Sequence, residues 1–269
     1  MRIGQKRWSR RDFLSLMGKS ALGTVVGTSW LNSRALAATA ELPWVVWPKL
    51  DPSEIAELAY WGYYGEYDGK GCAYGVFNAI VTKLNEQASS PIPEEMLTYG
   101  KGGMMGFGHL CGTLNGGGAV INLVAGLTPI KENLGDLSAL IQELMLWYAQ
   151  AEHPFYKPPN PKLDVDIPSI VPGSALCHVF VSKWCKATGY GAHDPERHEC
   201  CARLAGEVAG KTVELLNKYF AGEFAPEYEV PESVKVCLSC HGEEGLDDAK
   251  AKMDCLLCHK GHRWHGAKR

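Results

Sequence analysis

Two copies of one short motif limit what this chain can be. Cys237-Leu238-Ser239-Cys240-His241 and Cys255-Leu256-Leu257-Cys258-His259 both read C-x-x-C-H, and only 13 residues separate His241 from Cys255. Two thiols three residues apart match the two vinyl groups of one haem, and the adjacent histidine then lies under the iron as its proximal ligand. A zinc ribbon is the rival, since C-x2-C-x14-C-x2-C is close to zinc spacing. Four thiolates on zinc would leave both histidines idle, however. A redox-active C-x-x-C pair usually opens a helix in a βαβ fold, and no such pattern is visible. The motifs therefore predict two haem c groups held close together.

The segment from Ser233 onward is 37 residues long and poor in large apolar side chains. It cannot wrap two macrocycles alone. Their faces must be covered by the rest of the chain, by each other or by a second subunit, so a homodimer is expected. Ala249 to Arg269 carries six basic residues against Asp254 alone, a balance that suits haem propionates.

The other end of the chain reads as an address. Arg10-Arg11-Asp12-Phe13-Leu14 follows a basic start, a modestly apolar stretch runs from Leu16 to Leu31, and Ala35-Leu36-Ala37 or Ala38-Thr39-Ala40 offers a cleavage site. An ordinary basic signal peptide can hold two adjacent arginines by chance, but Arg-Arg-x-Phe-Leu is far more specific to twin-arginine export. Residues 1–40 are therefore expected to be removed and the mature protein to work in the periplasm. Without them the chain holds 20 basic and 29 acidic residues, a formal charge of −9. Such an acidic surface is a poor nucleic-acid binder. No later apolar run reaches the roughly 18–20 residues of a membrane span.

Between these ends the pattern is helical, and the expected architecture is mainly α: a helical domain over 41–225 and a short C-terminal dihaem-binding segment over 226–269. Cys72, Val76, Ala79, Ile80 and Leu84 recur at steps of three and four, which buries Cys72 on a helix face. Leu137, Leu140, Ile141, Leu144, Met145 and Tyr148 mark a second helix, with Asp136 as its N-cap. Further helices are predicted over 174–188 and 199–220. On the last, Cys201 shares a face with Leu204, Val208, Thr212, Leu215 and Tyr219, so Cys201 should be the inward member of the Cys200-Cys201 pair. Residues 100–126 hold ten glycines, a density that permits unusual backbone angles or very close approach. Pro154 to Pro172, with six prolines, reads as an irregular connection. Trp44 to Trp47 is the one short stretch with the look of a strand.

What completes each haem iron decides the function. Two strong-field ligands give electron transfer, whereas an open position admits small-molecule chemistry. Seven histidines remain: His109, His153, His178, His193, His198, His262 and His265. His262 and His265 are too near His259 in sequence to turn round the same haem, so either would serve the first haem or one in a partner subunit. His178 and His265 lead as distal ligands, and His109 and His262 follow. Methionine ligation by Met253, Met104 or Met105 ranks below histidine. This supply of histidines favours closed iron and an electron carrier working between other redox proteins, with no catalytic residues of its own. The alternative is a small multihaem reductase with an open iron position.

Six cysteines stand outside the haem motifs: Cys72, Cys111, Cys177, Cys185, Cys200 and Cys201. Three fates are open to them: small buried hydrophobes, disulfides in an exported protein, or ligands of an iron–sulfur cluster. Twin-arginine export favours the cluster, because a cofactor inserted in the cytoplasm calls for transport of a folded chain, whereas haem c is attached after translocation.

With those residues in view, the chain resembles the split-Soret cytochromes c of anaerobic, sulfate-reducing bacteria over nearly its whole mature length. Gly71-Cys72-Ala73-Tyr74-Gly75, Cys111-Gly112-x-x-x-Gly116, Cys177 and Cys201-Ala202-Arg203-Leu204 also resemble a wider family of redox proteins with a Gly-Cys-Ala-x-x-Gly signature. Here Tyr74 alone separates Ala73 from Gly75, one residue fewer than in that signature, and no cysteine precedes Cys72. The resemblance implies a homodimer with two bis-histidine haems per subunit, packed face to face, and a haem ligand contributed across the dimer. It also implies an iron–sulfur centre in the helical domain. The ligand set expected for that centre is Cys111, Cys177, Cys185 and Cys201, with Cys72 as substitute.

Overall fold

The computed structural model describes residues 47–65, 70–88, 91–126 and 134–259. The export segment 1–40, Trp44 to Val46, His262 and His265 lie outside the described residues. Within them the chain is mainly helical, and extended pairing is limited to two isolated bridges, Leu110 with Leu176 and His153 with Ile170. No helix among the described residues is long and apolar enough to cross a membrane.

Helix α1 spans Pro52–Tyr64 and α2 spans Gly71–Asn85. Asp51 caps α1 by accepting from the Ser53 amide at 2.8 Å, and Pro52 fixes the first turn. Where the two helices cross, Gly75 meets the α1 backbone. A Cβ there would stand 2.7 Å from Ala59 O and 2.8 Å from Tyr63 N, so only glycine permits this approach.

Helix α3, Gly112–Ile121, accounts for much of the glycine-rich stretch. Gly116 is pressed against Ala73 O of α2, and Gly117 against Leu144 and Thr212. These contacts bring in α4 (Leu134–Gln150) and α6 (Pro195–Phe220). With no side chains on that face, α3 is a thin rod on which three helices close. Upstream, Gly102, Gly103, Met104, Met105, Gly106 and Gly108 all adopt positive φ, a coiled loop that carries the backbone towards Cys111.

Helix α6 is the axis of the domain, about 39 Å long at 1.5 Å per residue. It packs on α1, α2 and α3 and buries Leu204, Val208, Val213 and Leu216 completely. Each such side chain contributes roughly 1.5–3 kcal/mol of burial. The helix begins at Pro195, earlier than periodicity indicated, because Pro195 suits the first turn after Asp194. Helix α5 covers Cys177–Thr188 and buries Phe180 and Trp184. Helix α4 begins at Leu134, so Asp136 is not its N-cap but a residue of its first turn, where it accepts the Tyr219 hydroxyl at 3.0 Å.

Several buried polar groups tie the irregular segments down. Glu199 accepts the hydroxyls of Tyr60 at 2.8 Å and Tyr64 at 2.6 Å and the Arg203 guanidinium at 2.8 Å. Arg203 also donates to Val165 O, and Trp184 Nε1 to Pro168 O, which pins the proline-rich connection. Glu143 on α4 accepts the amides of Glu227 and Tyr228 at 3.1 and 3.2 Å. The linker to helix α7 (Glu232–His241) is thereby fastened to the domain, and Val234 of α7 is fully buried.

Candidate redox site

A backbone ladder assembles the cysteines. Cys111 N donates to Ala175 O at 2.8 Å, Cys177 N to His109 O at 2.7 Å and His178 N to Gly108 O at 3.0 Å. The segments 108–111 and 175–178 thus run antiparallel. Cys111 then precedes α3 and Cys177 opens α5. Cys72 stands in the first turn of α2, and Cys201 in the second turn of α6. Gly112 leaves the space that Cys72 Sγ fills, because a Cβ at 112 would overlap that sulfur.

The thiols feel one another. Cys72 is pushed up to about 12, first by burial and then by Cys111 and Cys201. Burial also raises Cys177, with Cys111, Cys201 and Cys72 adding to it. Cys201 is raised by burial as well, against the opposing pull of Arg197, and Cys111 and Cys185 are its thiol neighbours. Cys72, Cys111, Cys177 and Cys201 therefore form the common group, with Cys185 beside Cys201. All ten cysteines are free thiols. The group is a set of neighbours and not a closed cage: among the described residues no three His, Cys, Asp or Glu side chains stand in an arrangement that holds a metal ion.

Two features fit such a centre. The Tyr148 hydroxyl is fully buried, lacks a partner of good hydrogen-bond geometry and faces Cys111, Cys201 and Cys177. Of these, Cys111 Sγ shares a hydrogen bond with Thr113 Oγ1 at 3.2 Å. A buried hydroxyl aimed at thiols is costly unless something there accepts from it. The second feature is a positive charge, Arg197, whose Nη1 lies 3.7 Å from Cys201 Sγ. With burial raising these thiols, ligation of a metal must release protons.

Cys200 departs from its sequence reading. It is fully buried, whereas Cys201 is half-buried and faces the other cysteines. Because α6 is flanked on several sides, a residue 100° away from one packed face meets another. The thiol of Cys200 is pushed up by burial and by Cys201.

The C-terminal motifs lie on exposed elements. Cys237 and Cys240 are one turn apart on α7, His241 ends it, and Cys255 begins a 3-10 turn at Cys255–Leu257. His241 Nδ1 pairs with Asp248 Oδ1 at 2.8 Å, and a proton held there puts the imidazole lone pair on Nε2, the nitrogen an iron takes. Val236, Leu246, Leu256 and Leu257 are exposed around these motifs, an apolar surface of the kind a macrocycle covers. The thiols of Cys237 and Cys255 are neighbours, so the two motifs meet. Leu257 lies over Gly173, and Ser174 Oγ donates to Met253 Sδ at 3.1 Å. The second motif therefore rests on the strand of chain that leads to Cys177.

Of the histidines read as distal candidates, His178 is exposed in the first turn of α5, and His109 is exposed beside Phe107. The ladder brings their backbones together, but the described residues place neither imidazole against a C-x-x-C-H motif. His153 is fully buried with its Nδ1 on Glu207 Oε1 and its Nε2 unpartnered. Sequence reasoning missed Arg197, Tyr148 and Tyr63 as neighbours of the thiols. Arg197 had one legible signal, its place one helical turn before Cys201.

The family described as "Putative redox-active protein (C_GCAxxG_C_C)" matches residues 71–215, a span that includes all six cysteines of the helical region. A curated relative, the "Split-Soret cytochrome c" of Desulfovibrio desulfuricans, is 36% identical over 222 residues, covering 79% of this chain and 76% of the relative. A solved structure, described as a novel iron centre in that organism's split-Soret cytochrome c, superposes with a TM-score of 0.72 at 33% identity. The match covers 81% of this chain and 92% of the solved one.

Proposed function

This chain belongs to the split-Soret cytochrome c family and, through its helical region, to the redox-active cysteine-motif family, and on that premise we propose that it is a periplasmic dihaem electron carrier with an iron centre held by cysteines. The observation that carries the reading is the docking of the second C-x-x-C-H motif, through Leu257 and Met253, on the Gly173-Ser174 segment. That segment leads into Cys177, so haem and cysteine sites share one stretch of backbone.

Cys237 and Cys240 would anchor the first haem with His241 as proximal ligand, and Cys255, Cys258 and His259 would do the same for the second. Each bound haem supplies a one-electron couple whose potential follows its axial ligands and surroundings. Asp248 orients His241 through the hydrogen bond at its Nδ1. The exposed Leu246, Leu256 and Leu257 would shield bound haems from water. Cys72, Cys111, Cys177 and Cys201 are the ligands the thiol neighbourhood favours for the iron centre, with Cys185 next to Cys201. This reading promotes Cys72 above Cys185, because Cys72 interacts with Cys111, Cys201 and Cys177. His178 and His265 remain the proposed distal ligands, with a homodimer supplying one across its interface and other redox proteins acting as donor and acceptor.

Optical spectra of the anaerobically purified protein, oxidised and reduced, with and without carbon monoxide, test the haem assignment. Low-spin spectra unaffected by carbon monoxide support closed haems and a carrier. A clear carbon monoxide shift would make the open-iron reductase the better reading. Non-haem iron together with acid-labile sulfide would support a cluster, and absence of non-haem iron would remove the iron centre.

A further inference from the structure

Arg197 touches the cysteine group, and each nitrogen of its guanidinium has a partner. It lies in the first turn of α6, one turn before Cys201. Nε donates to Ala192 O at 2.6 Å, Nη2 to His198 Nε2 at 2.8 Å, and Nη1 reaches Tyr63 Oη at 3.5 Å and Cys201 Sγ at 3.7 Å. The fork is thus fixed in one place, which a flexible surface arginine is not.

The hydrogen-bond directions have a consequence for Tyr63. His198 Nε2 accepts from Arg197, so the imidazole proton sits on Nδ1, 3.0 Å from Tyr63 Oη. Tyr63 oxygen then receives from both His198 and Arg197, and its own proton must point elsewhere. The groups that act on the buried Tyr63 phenol, after burial itself, are Cys201, Arg197 and Cys72. Tyr63 therefore stands in the neighbourhood of the sulfurs and backs Arg197, whose Nη1 is the cationic donor within reach of Cys201. Sulfur ligands that receive hydrogen bonds and face a positive charge hold a centre at higher potential.

We propose that Arg197, held by Ala192 O and His198 and backed by Tyr63, is the positioning residue that neutralises the thiolate charge of the cysteine-held centre and raises its reduction potential. The inference rests on the iron-centre reading above. Reduction adds an electron to a site already carrying several thiolates, and a fixed guanidinium beside Cys201 lessens that repulsion. Arg197 itself takes no part in ligation.

The test is a redox titration of the full-length, anaerobically purified protein in wild-type, Arg197→Gln and Arg197→Lys forms, followed by electron paramagnetic resonance, with non-haem iron counted per chain. Arg197→Gln should shift the reduction equilibrium of the iron centre at least tenfold towards the oxidised form, 59 mV for a one-electron couple, while the haem potentials move less. Arg197→Lys keeps the charge but not the fork, and should recover part of the loss. Loss of non-haem iron from Arg197→Gln with haem and helicity intact also supports the assignment, since the centre then depends on that charge. Should Arg197→Gln fail to fold, Arg197→Lys decides alone, by a smaller shift in the same direction. Wild-type iron content with an unchanged potential in both variants would overturn the role of Arg197. Wild-type protein devoid of non-haem iron would overturn the iron-centre reading itself, and this role with it.

Discussion

Gly112→Ala places one methyl group where the cysteine site and the helix core meet. The added Cβ would overlap Cys72 Sγ and stand 2.7 Å from Gly100 O and 3.0 Å from Ala73 N. Two of those three neighbours are backbone, so relief requires α2 and α3 to move apart. Forcing an extra methyl into a packed site costs about 1–3 kcal/mol, and the rigid neighbours put this case at the upper end. Alanine in place of glycine recovers at most about 1 kcal/mol of helix propensity, and less at the first helical position. The net loss of about 2 kcal/mol corresponds to roughly 4–8 °C in Tm for a chain of this size. If Cys72 holds the proposed iron centre, displacing it should also lower non-haem iron, whereas the haems proposed on the two C-x-x-C-H motifs should stay at the wild-type count. Gly118→Ala is the matched control, because nothing lies within 4 Å of its Cβ. It should be neutral or stabilise by up to about 1 kcal/mol. Thermal melts followed by circular dichroism, with iron analysis of the same samples, give both readouts. A Gly112→Ala protein that melts with wild type and holds full iron would refute the packing argument and the place of Cys72 in the centre.

Three further outcomes are expected. Glu207→Ala leaves the buried His153 Nδ1 and the Phe155 amide, now bonded to Glu207 at 2.8 Å, without an acceptor; the urea midpoint should fall by the equivalent of about 3–5 kcal/mol, and pairing it with His153→Phe should recover part of that. Iron-depleted protein should lose stability as pH rises from 9.0 towards about 12, because the Cys72 thiol is raised in the folded state and holds a proton that the unfolded chain releases; the urea midpoint against pH should flatten in Cys72→Ala. Asp248→Asn removes the carboxylate that polarises His241 and should raise the first haem's potential by a threefold to tenfold shift in its equilibrium, at 59 mV per tenfold. Spectroelectrochemistry that finds both haem potentials unmoved would sink that assignment.

The helices with a strong apolar stripe were legible because their burial is periodic, and α2 and α4 follow the spacing of Val76, Ile80 and Leu84 and of Leu140, Leu144 and Tyr148. The C-x-x-C-H motifs were legible because that chemistry is local: thiols and imidazole lie within five residues. The arrangement of the other cysteines was not, because it depends on a ladder between two irregular segments some 65 residues apart, and pairing of that kind leaves no period in either sequence. Cys200 was misplaced for a related reason: a single hydrophobic stripe assumes one buried face, and α6 has several, so Cys200 is buried as well, beside the inward-facing Cys201. These two failures bear on the site in the same way. Cys111 and Cys177 are brought together by main-chain hydrogen bonds, Cys72 is admitted by the bare backbone of Gly112, and Cys201 is turned towards them by its place on α6. The fold thus brings four thiols and the Arg197 guanidinium into one neighbourhood, short of a closed cage, through contacts between segments far apart in sequence.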